Sequence, residues 1–326
     1  MNLEIQLLFI TFLVAVVLGL IIIPILKKMK IGQIERDDGP ASHLKKQGTP
    51  TMGGIIIMLA IAIVTIGTYI YLVATENKEL GNDLIHFLLI TLGFGLVGFI
   101  DDFKKLVLKN TDGLSPRKKM LGLLIIATIY VLFIVYVAKI GTDTYIPIAK
   151  IYINIPTIIY IPLAILVILA TTNAINLTDG IDGLASSVSS IIITCLTVIG
   201  MSNVIFEVSF FGSIVIGATL GFLLFNTHPA KVFMGDTGSL MLGGVISALA
   251  LYLKMPLLLL LIAIIPVIET LSVIIQVVHF KRTGKRVFKM TPIHHHFELS
   301  GWRENKIVVV FTLVTLIACT IGLQII

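Results

Sequence analysis

The sequence predicts an all-α, polytopic integral membrane protein of about ten transmembrane helices, built as a single domain over residues 1–326. Three observations predict it. Apolar residues make up 57% of the 326 positions and charged residues only 13%, against about 25% charged in a typical soluble domain. Mean hydropathy is +1.05. The apolar residues also fall into ten segments, each able to cross a hydrocarbon core about 30 Å thick at about 1.5 Å per residue. This composition excludes a soluble enzyme and a disordered chain, and two cysteines exclude a disulfide scaffold.

In order, the expected spans are 5–26, 53–74, 84–100, 120–140, 157–175, 183–201, 206–225, 237–253, 256–280 and 306–326. The first is no cleaved signal: it opens on Glu4, and the basic cluster Lys27, Lys28, Lys30 follows it. The third is short and rich in glycine. Pro266 in the ninth predicts a kink or a strong tilt. Cys195 and Cys319 fall inside spans and read as small core hydrophobes. Between the fourth and fifth spans, 141–156 partly alternates apolar and polar residues, which suggests a small hairpin on the membrane surface.

Charge sets the orientation. With the N-terminus outside, the inside loops hold 20 of the 24 Lys and Arg, the asymmetry of the positive-inside rule. Ten spans then leave both termini outside and put the polar clusters on the cytoplasmic face.

Five such clusters carry chemistry. Asp101-Asp102 ends an apolar run; it reads as a helix stop at the boundary or as a Mg²⁺ or general-base site, since hard divalent cations take carboxylate oxygens. Asn176, Asp179 and Asp182 recur at three-residue steps. On a continuous helix they would share an arc of about 120° and face one cavity, with Gly180 and Gly183 allowing close ligand approach. Capping of the next helix is the plainer reading. Asn226 to Ser239 contains Phe233, which could cover a nucleobase or pack at the interface. Asp236 in the same stretch sits at a helix start between Gly235 and Gly238, where free amides could bind phosphate. His294, His295 and His296 lie in the basic loop 281–306 and suit an anion site better than zinc, whose ligand spacing they lack. His43 to Gly54, with Lys46 and Thr51, has the look of a phosphate-contacting loop entering a helix. Clusters gathered on one face suit metal-assisted phosphoryl transfer. A transporter would instead keep its charges near the midplane, where Glu269 is the only deep acid.

Together, Asp101-Asp102, Asn176-Leu-Thr-Asp179-Gly-Ile-Asp182-Gly, Phe233-Met-Gly-Asp236-Thr-Gly-Ser and Pro292-Ile-His-His-His-Phe-Glu298 resemble the polyprenyl-phosphate N-acetylhexosamine-1-phosphate transferase superfamily. Gly48-Thr-Pro-Thr-Met-Gly-Gly54 and the triple histidine resemble its bacterial branch, the phospho-N-acetylmuramoyl-pentapeptide transferases. The likeness extends over essentially the whole chain. It implies a multi-pass enzyme of the bacterial inner membrane in peptidoglycan biosynthesis. UDP-N-acetylmuramoyl-pentapeptide and undecaprenyl phosphate would yield lipid I and UMP with Mg²⁺ as cofactor. The resemblance makes Asp236 the Mg²⁺ ligand, Asp101 the base on the lipid phosphate, and Asp102 a positioner of phosphate or metal. Lys46, Gly180, Asp182 and Phe233 would surround the uridine, Thr51, Asn176, Asp179 and Asn226 would line the cleft, and the three histidines would contact diphosphate or sugar. It further implies a homodimer in the lipid bilayer, inhibition by uridine-containing antibiotics such as tunicamycin, and no nucleic-acid partner. A sister enzyme using UDP-GlcNAc and a transporter remain as alternatives. One-step and two-step transfer both fit the residues; direct attack is preferred because a phosphate dianion is already a nucleophile.

Overall fold

The computed structural model describes residues 2–29, 48–106 and 113–326. Twelve α-helices, a short 3-10 turn (Pro256–Leu258) and one hairpin occur among them. They are α1 (Leu3–Lys28), α2 (Gly54–Ala74), α3 (Lys78–Leu106) and α4 (Pro116–Leu132, prolonged by a π-helical turn, Phe133–Val137), followed by strands β1 (Asp143–Ile146) and β2 (Ile151–Asn154). Then come α5 (Thr157–Thr178), α6 (Leu184–Ser202), α7 (Phe206–Asn226), α8 (Gly235–Tyr252), the short α9 (Leu259–Ile262), α10 (Ile264–Thr283), α11 (Ile293–Glu298) and α12 (Glu304–Gln324).

Among the described residues, nine helices are long and apolar enough to cross a membrane: α1 to α7, α10 and α12. The expected span at 237–253 is α8, an 18-residue helix. Its first turn, Gly235-Asp-Thr-Gly-Ser239, is polar, so its composition differs from that of its neighbours. Every residue from Thr237 to Leu251 is buried, because α2, α3, α5 and α6 pack around it. A helix enclosed on all sides needs no lipid-facing stripe. α1 shows the opposite pattern. Leu7, Thr11, Ala15, Gly19, Ile23 and Leu26 form a buried stripe at helical spacing, packed mainly on α7, while Phe9, Leu13, Val17 and Leu20 point outward.

Two glycine contacts let α8 sit this deep. A Cβ on Gly54 would collide with the Gly238 backbone, and one on Gly98 would collide with the Asp236 carbonyl. Helix hydroxyls inside the bundle, such as Thr11, Thr91 and Thr172, donate to carbonyls one turn back, which satisfies them where water is scarce.

Two expectations shift in position. The ninth span breaks at Ala263 (φ −100°, ψ 33°) rather than bending at Pro266. Pro266 falls in the first turn of α10, where its missing N–H costs least. It leaves the Ile262 carbonyl without that partner, and the Cys319 thiol donates there instead at 3.8 Å. The third helix does not stop at Asp101-Asp102 but continues to Leu106. The hairpin is as expected: β1 and β2 pair antiparallel with Asp143 opposite Asn154 and Ile146 opposite Ile151. Lys254 donates to Asp143 at 3.2 Å, and Lys150 to the Ile326 carbonyl at 3.2 Å. The hairpin thus ties the ends of α8 and α12 together on the face away from the polar clusters. Cys195 and Cys319 are both buried and free.

Candidate active site

The site is built where the last turns of α3 and α5 meet the first turns of α4 and α8. α8 anchors it. The opening amides of a helix have no partner within the helix. Here Asp102, from α3, supplies one. Its Oδ1 accepts from the Asp236 N–H at 3.2 Å, and its Oδ2 accepts from the Thr237 N–H at 2.9 Å and the Thr237 hydroxyl at 2.6 Å. The carboxylate also opposes the positive end of the helix dipole. The amides expected to be open to phosphate are therefore capped by a side chain from another helix, and Asp102 spends both oxygens on α8.

This cap fixes Asp236. Its Oδ1 accepts from Asn176 Nδ2 at 2.8 Å, and that amide also reaches Ser239 Oγ at 2.9 Å. Its Oδ2 meets Lys105 Nζ at 3.1 Å and Lys119 Nζ at 2.9 Å. Asp101 faces the same two ammonium groups, at 2.7 Å from Lys105 and 3.8 Å from Lys119, and its other oxygen accepts from the Leu114 N–H at 2.6 Å. Asp101 is buried while the lysines are 39% and 19% exposed. Two carboxylates thus share two cations at the mouth of the bundle. Neither lysine was among the expected site residues. Lys105 stands four residues after Asp101, a helical ion-pair spacing legible in the sequence. Lys119 arrives from α4 with no local signal.

The expected arc of Asn176, Asp179 and Asp182 does not form, because α5 ends at Thr178 and Asp179 leaves the helical conformation (φ −82°, ψ 52°). The chain then turns, and α6 starts from Gly183 in the left-handed region. Asn176 and Asp179 stay with Asp236. Burial, with the carboxylates of Asp236, Asp102 and Asp182, pushes the Asp179 carboxyl up to about 8. Asp182 turns elsewhere: its Oδ2 accepts from the Ala230 N–H at 3.1 Å and lies 2.9 Å from His228 Nδ1. His228 Nδ1 is also 2.9 Å from Glu304 on α12. Among the described residues, Asp182, His228 and Glu304 form the one His and acidic group with ligand atoms all within 4.8 Å.

The segment from Gly48 to Gly54 serves Phe233. The Phe233 N–H donates to the Pro50 carbonyl at 2.8 Å, Gly53 N–H to the Phe233 carbonyl at 2.8 Å, and Gly54 N–H to the Met234 carbonyl at 2.9 Å. Those two glycine amides are therefore spent on backbone, not left for a phosphate. Thr51 is buried, with its hydroxyl near Gly235. Asn226 is buried and engaged at both ends, accepting from Ser186 at 2.7 Å and donating to the Val232 carbonyl at 3.0 Å. Lys46, His43 and Lys45 lie outside the described residues.

The histidines form α11 rather than an open loop, and they part company. His295 Nδ1 is 2.7 Å from Glu298. His296 Nδ1 accepts from the Lys289 N–H at 3.1 Å, so its proton sits on Nε2. His294 is fully buried against Glu269 of α10, with Nδ1 to Oε1 at 3.0 Å.

The bundle thus gathers acids and lysines at one end of a set of membrane-length apolar helices. The model of Glycosyl transferase family 4 matches residues 84–254, and the phospho-N-acetylmuramoyl-pentapeptide-transferase signature 1 matches residues 46–58. Curated proteins of that name are similar over nearly the full length. Those of Acetivibrio thermocellus and Clostridium perfringens are 46% and 50% identical, each over 96% of this chain and over 92% and 94% of their own. That of Clostridium acetobutylicum is 47% identical over 96% of both chains. The chain belongs to the phospho-N-acetylmuramoyl-pentapeptide-transferase family.

Proposed function

We propose that the chain transfers phospho-N-acetylmuramoyl-pentapeptide from its UDP carrier to undecaprenyl phosphate, giving lipid I and UMP for peptidoglycan synthesis. The reaction runs at the cytoplasmic face of the bacterial plasma membrane. The observation that carries this reading is the Asp101–Lys105–Lys119–Asp236 cluster at one end of an apolar bundle. Transfer between a water-soluble diphosphate and a lipid phosphate needs such charges where bilayer and water meet. The positive-inside asymmetry supports the cytoplasmic side.

Mg²⁺ fits this cluster. Asp236 and Asp101 offer hard oxygens, and an ammonium already sits between them, in the place of a cation. Asp236, with Asp101, would hold the ion. Bound there, it would add positive charge against the donor's phosphate oxygens. The chain's own groups do the rest. Lys105 and Lys119 can swing from carboxylate to phosphate and neutralise the charge that develops in transfer. Asp101 accepts any proton carried by the lipid phosphate, whose oxygen then attacks the β-phosphate and expels UMP. Asp102 holds Asp236 in register through α8. Phe233, clamped by Pro50 and Gly53, offers its ring to the uracil. Asn226 and Thr51 brace that wall, and His295 and His296 face the diphosphate and sugar. A homodimer and inhibition by uridine-containing antibiotics such as tunicamycin accompany this reading.

The test is UMP release in detergent with a polyprenyl phosphate and Mg²⁺, comparing UDP-N-acetylmuramoyl-pentapeptide with UDP-GlcNAc. UMP should appear only with the first. Turnover of UDP-GlcNAc alone would reassign the donor, and flux across vesicles without UMP release would make the chain a transporter.

A further inference from the structure

The transfer reading gives Glu269 no part, yet Glu269 is fully buried in α10, a membrane-crossing helix, where a lone carboxylate costs several kcal/mol or more. Its partner is His294, also fully buried. One carboxyl oxygen is 3.0 Å from the ring Nδ1, and the other accepts from the His294 backbone N–H at 3.4 Å. The ring's second nitrogen, Nε2, is buried and has no hydrogen-bond partner among the described residues. It lies directly against Gly180, where an added Cβ would collide with it. Gly180 follows Asp179, which faces Asp236 across the site floor. A titratable neighbour among the described residues is His295, whose ring centre is 4.1 Å away.

Proton counting gives this arrangement a direction. A buried pair is far cheaper with no net charge. Two neutral forms exist: carboxylate with imidazolium, or carboxylic acid with imidazole. In both, one proton lies between Glu269 and Nδ1 and the other sits on Nε2. The carboxylate thus makes Nε2 an N–H donor, as a buried acid does for the histidines it backs. A buried donor without a partner costs free energy until an acceptor arrives.

We propose that Glu269 is a positioning residue: it holds His294 as an Nε2–H donor, aimed past Gly180 at an acceptor oxygen of the bound nucleotide sugar. The inference rests on the transfer reading. Glu269→Gln keeps the shape but removes the charge: the imidazolium form is lost, and an amide, which can donate to or accept from Nδ1, no longer fixes the proton on Nε2. It should lower kcat/KM for the full donor by about tenfold to hundredfold while leaving the affinity for UMP, which lacks the sugar, unchanged. His294→Ala should then add little in the Glu269→Gln background. Thermal unfolding in detergent checks the fold. If Glu269→Gln does not fold, Gly180→Ala displaces Nε2 without touching the acid and should lower kcat/KM as much. Additive losses, an equal loss of UMP affinity, or full activity in Gly180→Ala would overturn the assignment. A wild-type chain that releases no UMP would instead overturn the reaction itself.

Discussion

Asp102 offers the sharpest separation of a structural from a chemical role. Its two oxygens accept three hydrogen bonds, from the Asp236 and Thr237 amides and the Thr237 hydroxyl, at 3.2, 2.9 and 2.6 Å. Asp102→Ala leaves these donors unpaired in a buried site, at about 1–3 kcal/mol for each. It also removes a negative charge from a helix N-terminus, worth about 0.3–1 kcal/mol. The sum, about 3–10 kcal/mol, is comparable to the whole stability of many domains, so this variant should be recovered poorly. Asp102→Asn is the informative change. Its single oxygen can still cap one amide, while its NH₂ points at a second donor, so the loss should be about 2–4 kcal/mol. Thr237→Val removes only the hydroxyl bond and should cost about 1–2 kcal/mol. If Asp102 acts by holding α8, loss of turnover should track loss of stability across Asp102→Asn and Thr237→Val. The assays are thermal unfolding in detergent and UMP release on the same preparations. An Asp102→Asn enzyme with wild-type Tm and no turnover would refute the reasoning and put Asp102 on the substrate.

Asp236→Ala should abolish turnover and the Mg²⁺ dependence of nucleotide binding with the fold retained; near-normal activity would remove it from the metal site. Phe233→Ala should weaken UMP binding by about 1–3 kcal/mol, the range for base stacking, and Phe233→Tyr much less, as calorimetry can tell. An equal effect on inorganic phosphate would take the ring off the base. Lys119→Gln should lower kcat/KM by about 1.5–3 kcal/mol in activation free energy, the range for a charged hydrogen bond, and an unchanged rate would make Lys119 a surface cation. The Asp179 carboxyl, raised to about 8 by burial and nearby carboxylates, binds its proton more tightly folded than unfolded. Its contribution to stability is therefore greatest below the unfolded value near 4 and is lost as pH rises toward 8. Without Mg²⁺, Asp179→Asn should flatten the fall in Tm between pH 5 and pH 8, and an unchanged slope would mean that the group ionises freely.

Sequence by itself determined the membrane class, most span positions and the hairpin. Those features depend on local composition: about 20 apolar residues make a span whatever lies beside it. Motif types also pointed to Asp101 and Asp236, which do meet. Only tertiary structure decided what each polar group does. Lys119 joins Asp236 from 117 positions away, and Asp102 caps a helix 134 positions on. No local pattern encodes such pairings. Asn176, Asp179 and Asp182 kept helical spacing in sequence, yet α5 ended at Thr178 and sent Asp182 to His228. Propensity could not foresee that end, because the partners that reward the turn come from the segment after α7, from α8 and from α12. The three histidines looked equivalent as a string. One short helix placed His294 inward on Glu269 and left His295 and His296 near the surface, since successive residues on a helix point about 100° apart.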